Sequence, residues 1–463
     1  MPLSESFLNQ LAGLVDQVVT DPAALDATSH DTWPMTTKWA AVGRHPYRAE
    51  AVVKVSSPDQ IAALLKAASR AGVPVTPRAL ASSVTGQPIP TRGGVVLDVN
   101  GLPRTRTVNQ TDLTVTVSAN YLGSALEDEL GQLGFTLGHS PQSLLRSTVG
   151  GWLSTLATGQ FSSLYGGIED LVVGYTVILA TGQSIKLQAK PRAAMGPDLR
   201  QLFIGSEGTL GVITEVTLKI FPIAPAESLQ TYAIPSVHDG LTFMRAQGAA
   251  GLRPFLLRLY DADEAKHAMV DPTFDSCCLF LGSRGLPGLV EAEMAALDEL
   301  VRQIGGRPLG PAATAAWMER RFDFSSVERQ VAKPGGIAET IEVAHYWSGI
   351  EGLYEDLKRA LAPLADEVLA HFSHVYNQGT SMYMILFAQT ADDETAIDRL
   401  ERIWSTTMDL CLEHGAELSH HHGGGLVRSP YSKRSLGSAH LVLEKVKRAL
   451  DPAGVLNPGK LGL

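Results

Sequence analysis

Residues 419–428 read SHHHGGGLVR, which sets His420, His421 and His422 against Gly423, Gly424 and Gly425. Imidazole, with a pKa of about 6.5, accepts or donates a proton at physiological pH, so histidines beside a sharply turning backbone suit acid–base work on a substrate hydroxyl. A metal site is the competing chemistry. In an extended segment neighbouring side chains face opposite ways, so only His420 and His422 converge, and further ligands have to come from distant parts of the chain. Cys277 and Cys278 are adjacent and Cys411 stands alone, so no cysteine pair has metal-ligand spacing. No metal is expected.

Three further stretches are rich in small and hydroxyl residues: PRALASSVTG from Pro77, PQSLLRSTVGGWLSTLATG from Pro141, and GSEGTLGVIT from Gly205. Gly, Ser and Thr form turns that aim backbone N–H groups inward without steric cost, the arrangement that holds a dinucleotide pyrophosphate. None is a GxGxxG turn between strand and helix, and none carries a Walker lysine. Each alone reads as an ordinary loop, whereas the combination points to a ligand.

Such loops need rigid elements around them. The 463 residues are 44% hydrophobic and 19% charged, enough for a large core and for two domains. A net charge of -10 with no basic run excludes an electrostatic nucleic-acid surface and leaves a small molecule as the expected partner. Sparse cysteine fits a reducing compartment. The N-terminus lacks the basic region of a signal peptide, and Leu461-Gly462-Leu463 is not a peroxisomal address. LVVGYTVILA, from Leu171 to Ala180, is too short to span a bilayer and reads as a buried strand. A soluble, cytoplasmic protein is expected.

Phe7, Leu8, Leu11, Leu14, Val15 and Val18 have helical spacing. From Glu50 strands alternate with helices: AVVKV, a helix opened by Ser57-Pro58 and closed at Gly72, strands in PVTP, GVVLDV and LTVTVSA, a helix in SALEDELGQLGF, then the long strand GVITEVTLKIF. The prolines of FPIAPAES, Phe221 to Ser228, mark a boundary before helix-rich segments such as DETAIDRLERIWSTTMDLCLEHG. The expected class is α+β.

In order along the chain, PRxxxSS, PQS with STVGGW, YGGIEDLV, GSEGTLGVITE, SHHHGGG and DPAGVLNPGK resemble the flavin-linked oxidases of the vanillyl-alcohol-oxidase superfamily. STVGGW, YGGIEDLV and the histidine triplet resemble its alkyldihydroxyacetonephosphate synthase branch. The resemblance runs from about Glu50 onward. It implies a PCMH-type FAD-binding domain at 46–224 after a helical segment at 1–45, an α+β cap at 225–415, and a helical C-terminal segment at 416–463 returning to the flavin.

By the same resemblance Pro77, Arg78, Ala79, Leu80, Ala81, Ser82 and Ser83 cradle the FAD pyrophosphate. Gln142, Ser143, Ser147, Thr148, Gly150, Gly151, Thr155, Leu156, Ala157 and Thr158 contact ribityl, pyrophosphate and ring. Glu207, Gly208, Thr209, Leu210, Gly211, Val212 and Ile213 close over the adenine end. Arg258, in LLRLYD, matches an arginine that binds the substrate's anionic group; Tyr383, in SMYMILF, matches the proton-transfer tyrosine; His420, His421 and His422 match the histidines next to the flavin. Without the resemblance, Tyr383 reads as a core tyrosine with a satisfied hydroxyl, Arg258 as a partner of Asp261 or Asp263, and His371 and His374 as buried structural histidines held in reserve.

Ala79, Leu80 and Ala81 stand where the family has consecutive glycines, so side chains there either narrow the approach to the phosphates or shift them outward. No histidine in that loop offers covalent attachment, so noncovalent FAD is expected. Leu156 replaces an arginine of the synthases and Leu145 an acid, which counts against their reaction. The leading expectation is hydride transfer from a hydroxyl-bearing, anionic small molecule to flavin N5. The alternatives are synthase-type exchange of acyl for alkoxy through a flavin adduct, and a flavin-fold binding protein without activity. A homodimer stays open.

Overall fold

The computed structural model describes residues 3–463. In the first of three large sheets, strands Ala51–Lys54 and Val75–Arg78 both run parallel to Val95–Asp98, and Gln17–Val19 joins antiparallel at one edge. Parallel strands need a crossover, and helix Pro58–Ala71 supplies it, with Ser57 accepting from the Gln60 N–H and Gly72 closing at a left-handed φ of 65°. Ile61, Leu64, Leu65 and Ala68 form its buried face against Val53, Val75, Val95 and Leu97.

The N-terminal helix stops at Ala12 instead of running on to Val18. Gly13 ends it and Val18 pairs with Val53 as a strand, because that edge of the sheet is open to receive it. Phe7 and Leu11 enter the same core as Ile61, so this segment is part of the first layer.

The second sheet is antiparallel, in the order Arg106–Asn109, Thr114–Ser118, Val212–Lys219, Val172–Ile178, Ser184–Leu187. Helix Gly123–Gly131 ends before Phe135, which instead pairs with Pro222 in a two-stranded ribbon. Within LVVGYTVILA, Val172–Ile178 is a buried strand, as its β-branched content predicts.

The third sheet has seven antiparallel strands, ordered Arg307–Gly310, Ala226–Ile234, Cys277–Gly285, Leu256–Tyr260, Glu367–Val375, Gly379–Gln389, Gly336–Tyr346. Helices Pro287–Gln303, Ile350–Leu361 and Asp393–His414 cover one face, burying Leu297, Leu353, Leu357, Ile403 and Met408 against Leu259, Phe372, Met382, Met384 and Val343. Side chains alternate across a strand, so Arg258, His371, Tyr383 and Glu342 fall on the opposite face. The register aligns them further: Tyr260 lies opposite His371, His371 opposite Tyr383, and Tyr383 opposite Glu342. One row of polar side chains thus crosses four neighbouring strands.

The C-terminal segment ties the layers together. Leu456 bridges Val75, the Asn457 N–H donates to the Val75 carbonyl, and buried Lys447 donates to the carbonyls of Thr209 and Leu456.

Candidate active site

A cavity of about 860 Å³ separates the first two layers from the polar face of the seven-stranded sheet. Pro77 to Ser83, Gln142, Ser143, Ser147, Thr148, Gly150, Gly151, Thr155, Ala157, Thr158, Glu207, Gly208, Gly211, Val212 and Ile213 all line it. Leu156, Thr209 and Leu210 do not. Leu156 is the left-handed cap of helix Val149–Thr155 and lies against Gly205. Thr209 is fully buried, its hydroxyl on the Ser206 carbonyl, and Leu210 joins the core of the second sheet.

The lining fits a flavin dinucleotide. Among the described residues, the backbone N–H groups from Leu80 to Val84 find no acceptor within the chain, a set of donors suited to phosphate oxygens. Ala81 takes the left-handed φ of 52° that the family's glycines allow, and Leu80 turns outward at 44% exposure, so the substitutions leave the cradle open. The Ala81 conformation costs about 1 kcal/mol relative to glycine. Buried Gln160 Oε1 and Asn457 Oδ1, both in residues lining the cavity, lack a partner in the chain.

Sequence reasoning missed the contribution of the N-terminal segment. Asp31, His30 and Thr32 line the cavity, and buried Asp31 accepts from Ser83 Oγ at 2.8 Å and the Gly86 N–H at 2.8 Å. Arg78 is spent on the same segment, donating to the His30 carbonyl at 2.6 Å. The one local signal is Asp31 two residues before Trp33, from whose N–H it accepts at 3.1 Å.

Facing the cradle, Tyr383 Oη lies 2.6 Å from His421 Nε2, and both side chains line the cavity. Burial, then the Glu342 charge, pushes the Tyr383 phenol up. Arg258 is not paired with Asp261 or Asp263; Lys358 binds both of those. Its Nε donates to Tyr260 Oη at 2.9 Å and its Nη2 to His371 Nε2 at 2.8 Å, while His371 Nδ1 meets Glu264 at 2.8 Å. His371 therefore holds the arginine through its bare nitrogen and donates from the other. Burial raises the Glu264 carboxyl to about 8, against the pull of Arg258.

The histidine turn hangs on Glu342, a residue the sequence did not single out. This fully buried carboxylate accepts from the backbone N–H groups of His420, His421 at 3.3 Å and His422 at 2.9 Å, and from Ser419 Oγ at 2.8 Å. Arg428 stands 3.3 Å away. Burial alone would raise the Glu342 pKa; Arg428, then the histidines, overcome it and hold it at about 2. Gly425 has a φ of 54°, and a Cβ there would collide with the Thr85 carbonyl. Its N–H donates to Glu207, 3.0 Å away, so Glu207 couples the Gly205 to Thr214 loop to the histidine turn.

Because the segment wraps around Glu342 and is not extended, His420 and His422 are not the pair that converges. Nitrogens of His374, His420 and His421 lie within 4.8 Å of one another. They are engaged in hydrogen bonds: His420 Nδ1 with His421 Nδ1 at 2.8 Å, and His374 Nδ1 with Ser162 Oγ at 2.8 Å. His420 itself lies behind His421, outside the cavity lining.

Residues 49–188 match the FAD binding domain family and residues 225–461 the C-terminal domain of FAD linked oxidases. The FAD-linked oxidoreductase YgcU of Escherichia coli K12 is 32% identical over 483 residues, covering 100% of this chain and 99% of that protein. Alkyldihydroxyacetonephosphate synthase of Dictyostelium discoideum is 24% identical, over 91% of this chain and 74% of its own length. Glycolate oxidase subunit GlcD of Bacillus subtilis is 26% identical, over 89% and 88%. Among solved structures, an alkyldihydroxyacetonephosphate synthase superposes with a TM-score of 0.82 at 22% identity, over 99% of this chain and 87% of that one. p-Cresol methylhydroxylase with substrate bound gives 0.80 at 15% identity, over 100% and 98%.

The chain belongs to the FAD-linked oxidase family, with a PCMH-type FAD-binding domain. It is an FAD-dependent oxidase or dehydrogenase acting on a small molecule. Among the described residues, no helix is long and apolar enough to cross a membrane.

Proposed function

We propose that this enzyme oxidises the carbinol of a small hydroxy acid, with FAD held noncovalently in the cleft. The observation that carries this reading is the Tyr383–His421 hydrogen bond at 2.6 Å, open to the cavity, on the same sheet face as the buried cation Arg258. The cradle of Leu80 to Val84 would hold the pyrophosphate, and bound FAD supplies the acceptor for the electron pair and hydrogen leaving the carbinol carbon. Arg258 binds the substrate carboxylate with its free guanidinium N–H groups, its orientation set by Tyr260 and His371. Tyr383 meets the substrate hydroxyl and passes its proton to His421 Nε2, a base kept neutral by burial. Trp317, Leu369, Ile385 and Phe387 line the cavity and exclude water. The relative named glycolate oxidase supports a 2-hydroxy acid as the substrate class.

A second reading, exchange of acyl for alkoxy on a phosphate-bearing substrate, is favoured by the apolar lining around Val331, Ala338, Ile385 and Phe387 and by the synthase relatives. Anaerobic mixing separates the two. Glycolate, D-lactate and longer 2-hydroxy acids are expected to bleach the flavin absorbance, and acyl-dihydroxyacetone phosphate to leave it unchanged. Bleaching by none of the hydroxy acids overturns the oxidase reading, and a colourless protein that stays colourless after reconstitution overturns both. Flavin released into the supernatant on acid precipitation supports noncovalent binding, and flavin retained in the pellet contradicts it.

A further inference from the structure

The proposed chemistry leaves a proton on a buried base, and His421 cannot keep it: burial, then the charge of His422, pulls that imidazole down to about 3. The proton therefore has to travel on. We propose that Tyr383, His421, His420 and Tyr376 form a proton relay from the cavity to the surface. This rests on the oxidase reading above.

The path is continuous. Tyr383 Oη lies 2.6 Å from His421 Nε2, His421 Nδ1 lies 2.8 Å from His420 Nδ1, and His420 Nε2 lies 2.8 Å from Tyr376 Oη. Tyr383 lines the cavity, whereas Tyr376, just past the strand Glu367–Val375, is 41% exposed. Each imidazole uses one nitrogen inward and the other outward, so no ring is a dead end.

The donors also align in one direction. With both rings neutral, Tyr383 donates its O–H to bare Nε2 of His421. His421 donates Nδ1–H to bare Nδ1 of His420. His420 donates Nε2–H to the Tyr376 oxygen, and Tyr376 donates to water. When the substrate O–H breaks, its proton goes to the Tyr383 oxygen and the four existing protons each move one bond outward. One proton leaves Tyr376, and every group is again neutral with its hydrogen bonds reversed.

The scaffold holds this geometry. Glu342 fixes the backbone of both histidines, and His374, itself tied to Ser162, stacks on His420 with ring centroids 4.9 Å apart at 19°. Burial and then the charges of Glu169 and Asp170 raise the Tyr376 pKa. Two acids therefore stand near the outer end, where they attract an emerging proton.

Tyr376→Phe removes the last hydroxyl without touching the cavity. In the FAD-loaded enzyme, reduction by a 2-hydroxy acid is expected to slow about tenfold, below the ~10²–10⁴ contributed by a directly acting acid–base group. Substrate affinity should be unchanged, and the solvent deuterium isotope effect on reduction should rise because proton departure becomes limiting. An unchanged rate and isotope effect overturn the relay while leaving the oxidase reading intact. Failure of the unaltered protein to reduce flavin with any hydroxy acid overturns that reading instead, and the relay is then decided without substrate. Solid-state spectra of the protein labelled with ¹⁵N-histidine, assigned by difference from His420→Asn, support it if one of the facing Nδ1 atoms is protonated and the other bare. Two bare or two protonated Nδ1 atoms overturn it.

Discussion

Replacing Glu342 with Gln keeps the shape of the hub and removes its charge. Gln retains one acceptor oxygen, but its amide group would point donors at the His420 N–H or at Arg428, which is only 2% exposed. Two routes give the cost. The carboxyl is held at about 2 against an ordinary 4.5, and at 1.36 kcal/mol per pH unit this favours the ionised native state by about 3 kcal/mol. Removing one partner of a buried pair costs ~3–5 kcal/mol, in agreement. Because the native pKa is depressed, the contribution is fully present above the unfolded value of 4.5 and is lost as pH falls towards 2. Urea unfolding followed by tryptophan fluorescence should therefore show Glu342→Gln less stable by about 3 kcal/mol at pH 7, narrowing to about 1 kcal/mol at pH 3. A gap under about 1 kcal/mol at pH 7, or one that stays the same at pH 3, would refute the assignment of Glu342 as the charged anchor of the histidine turn.

Arg258→Ala should raise KM for an anionic substrate roughly 10- to 100-fold, from loss of charge-assisted hydrogen bonds of ~1.5–3 kcal/mol, with kcat little changed; steady-state kinetics with an unaltered KM would contradict the anion site. Burial holds His421 at about 3 and His422 at about 4, so both are neutral bases above that range and lose this role only on acidification. Flavin reduction in stopped flow should be level from about pH 5 to 7, below the titration of Glu264 at about 8, and an inflection near the usual ~6.5 would show a solvated histidine instead. Gly425→Ala forces a side chain into the Thr85 carbonyl at a left-handed φ. It should cost at least ~1–3 kcal/mol in unfolding free energy and slow flavin reduction; a protein as stable and active as the parent would remove that turn from the argument.

The local sequence determined a good deal. Ser57, Pro58 and Gly72 bound their helix by capping chemistry alone, β-branched runs mark the strands, and the small-residue loops do line one cavity, because turns that need Gly, Ser and Thr leave their mark in composition. What it could not show was pairing between distant residues. The N-terminal pattern continues to Val18, yet Gly13 stops the helix and an open sheet edge captures the rest, with Val18 against Val53, 35 residues further along. Glu342 sits in an unremarkable strand and gains its role only because sheet register sets it opposite Tyr383 and the histidine turn wraps around it. His420 and His421 face each other for the same reason, against the alternation an extended segment would impose. Chemistry along the chain is legible because it is local; which groups share a proton depends on register and burial, and those exist only once the layers have packed.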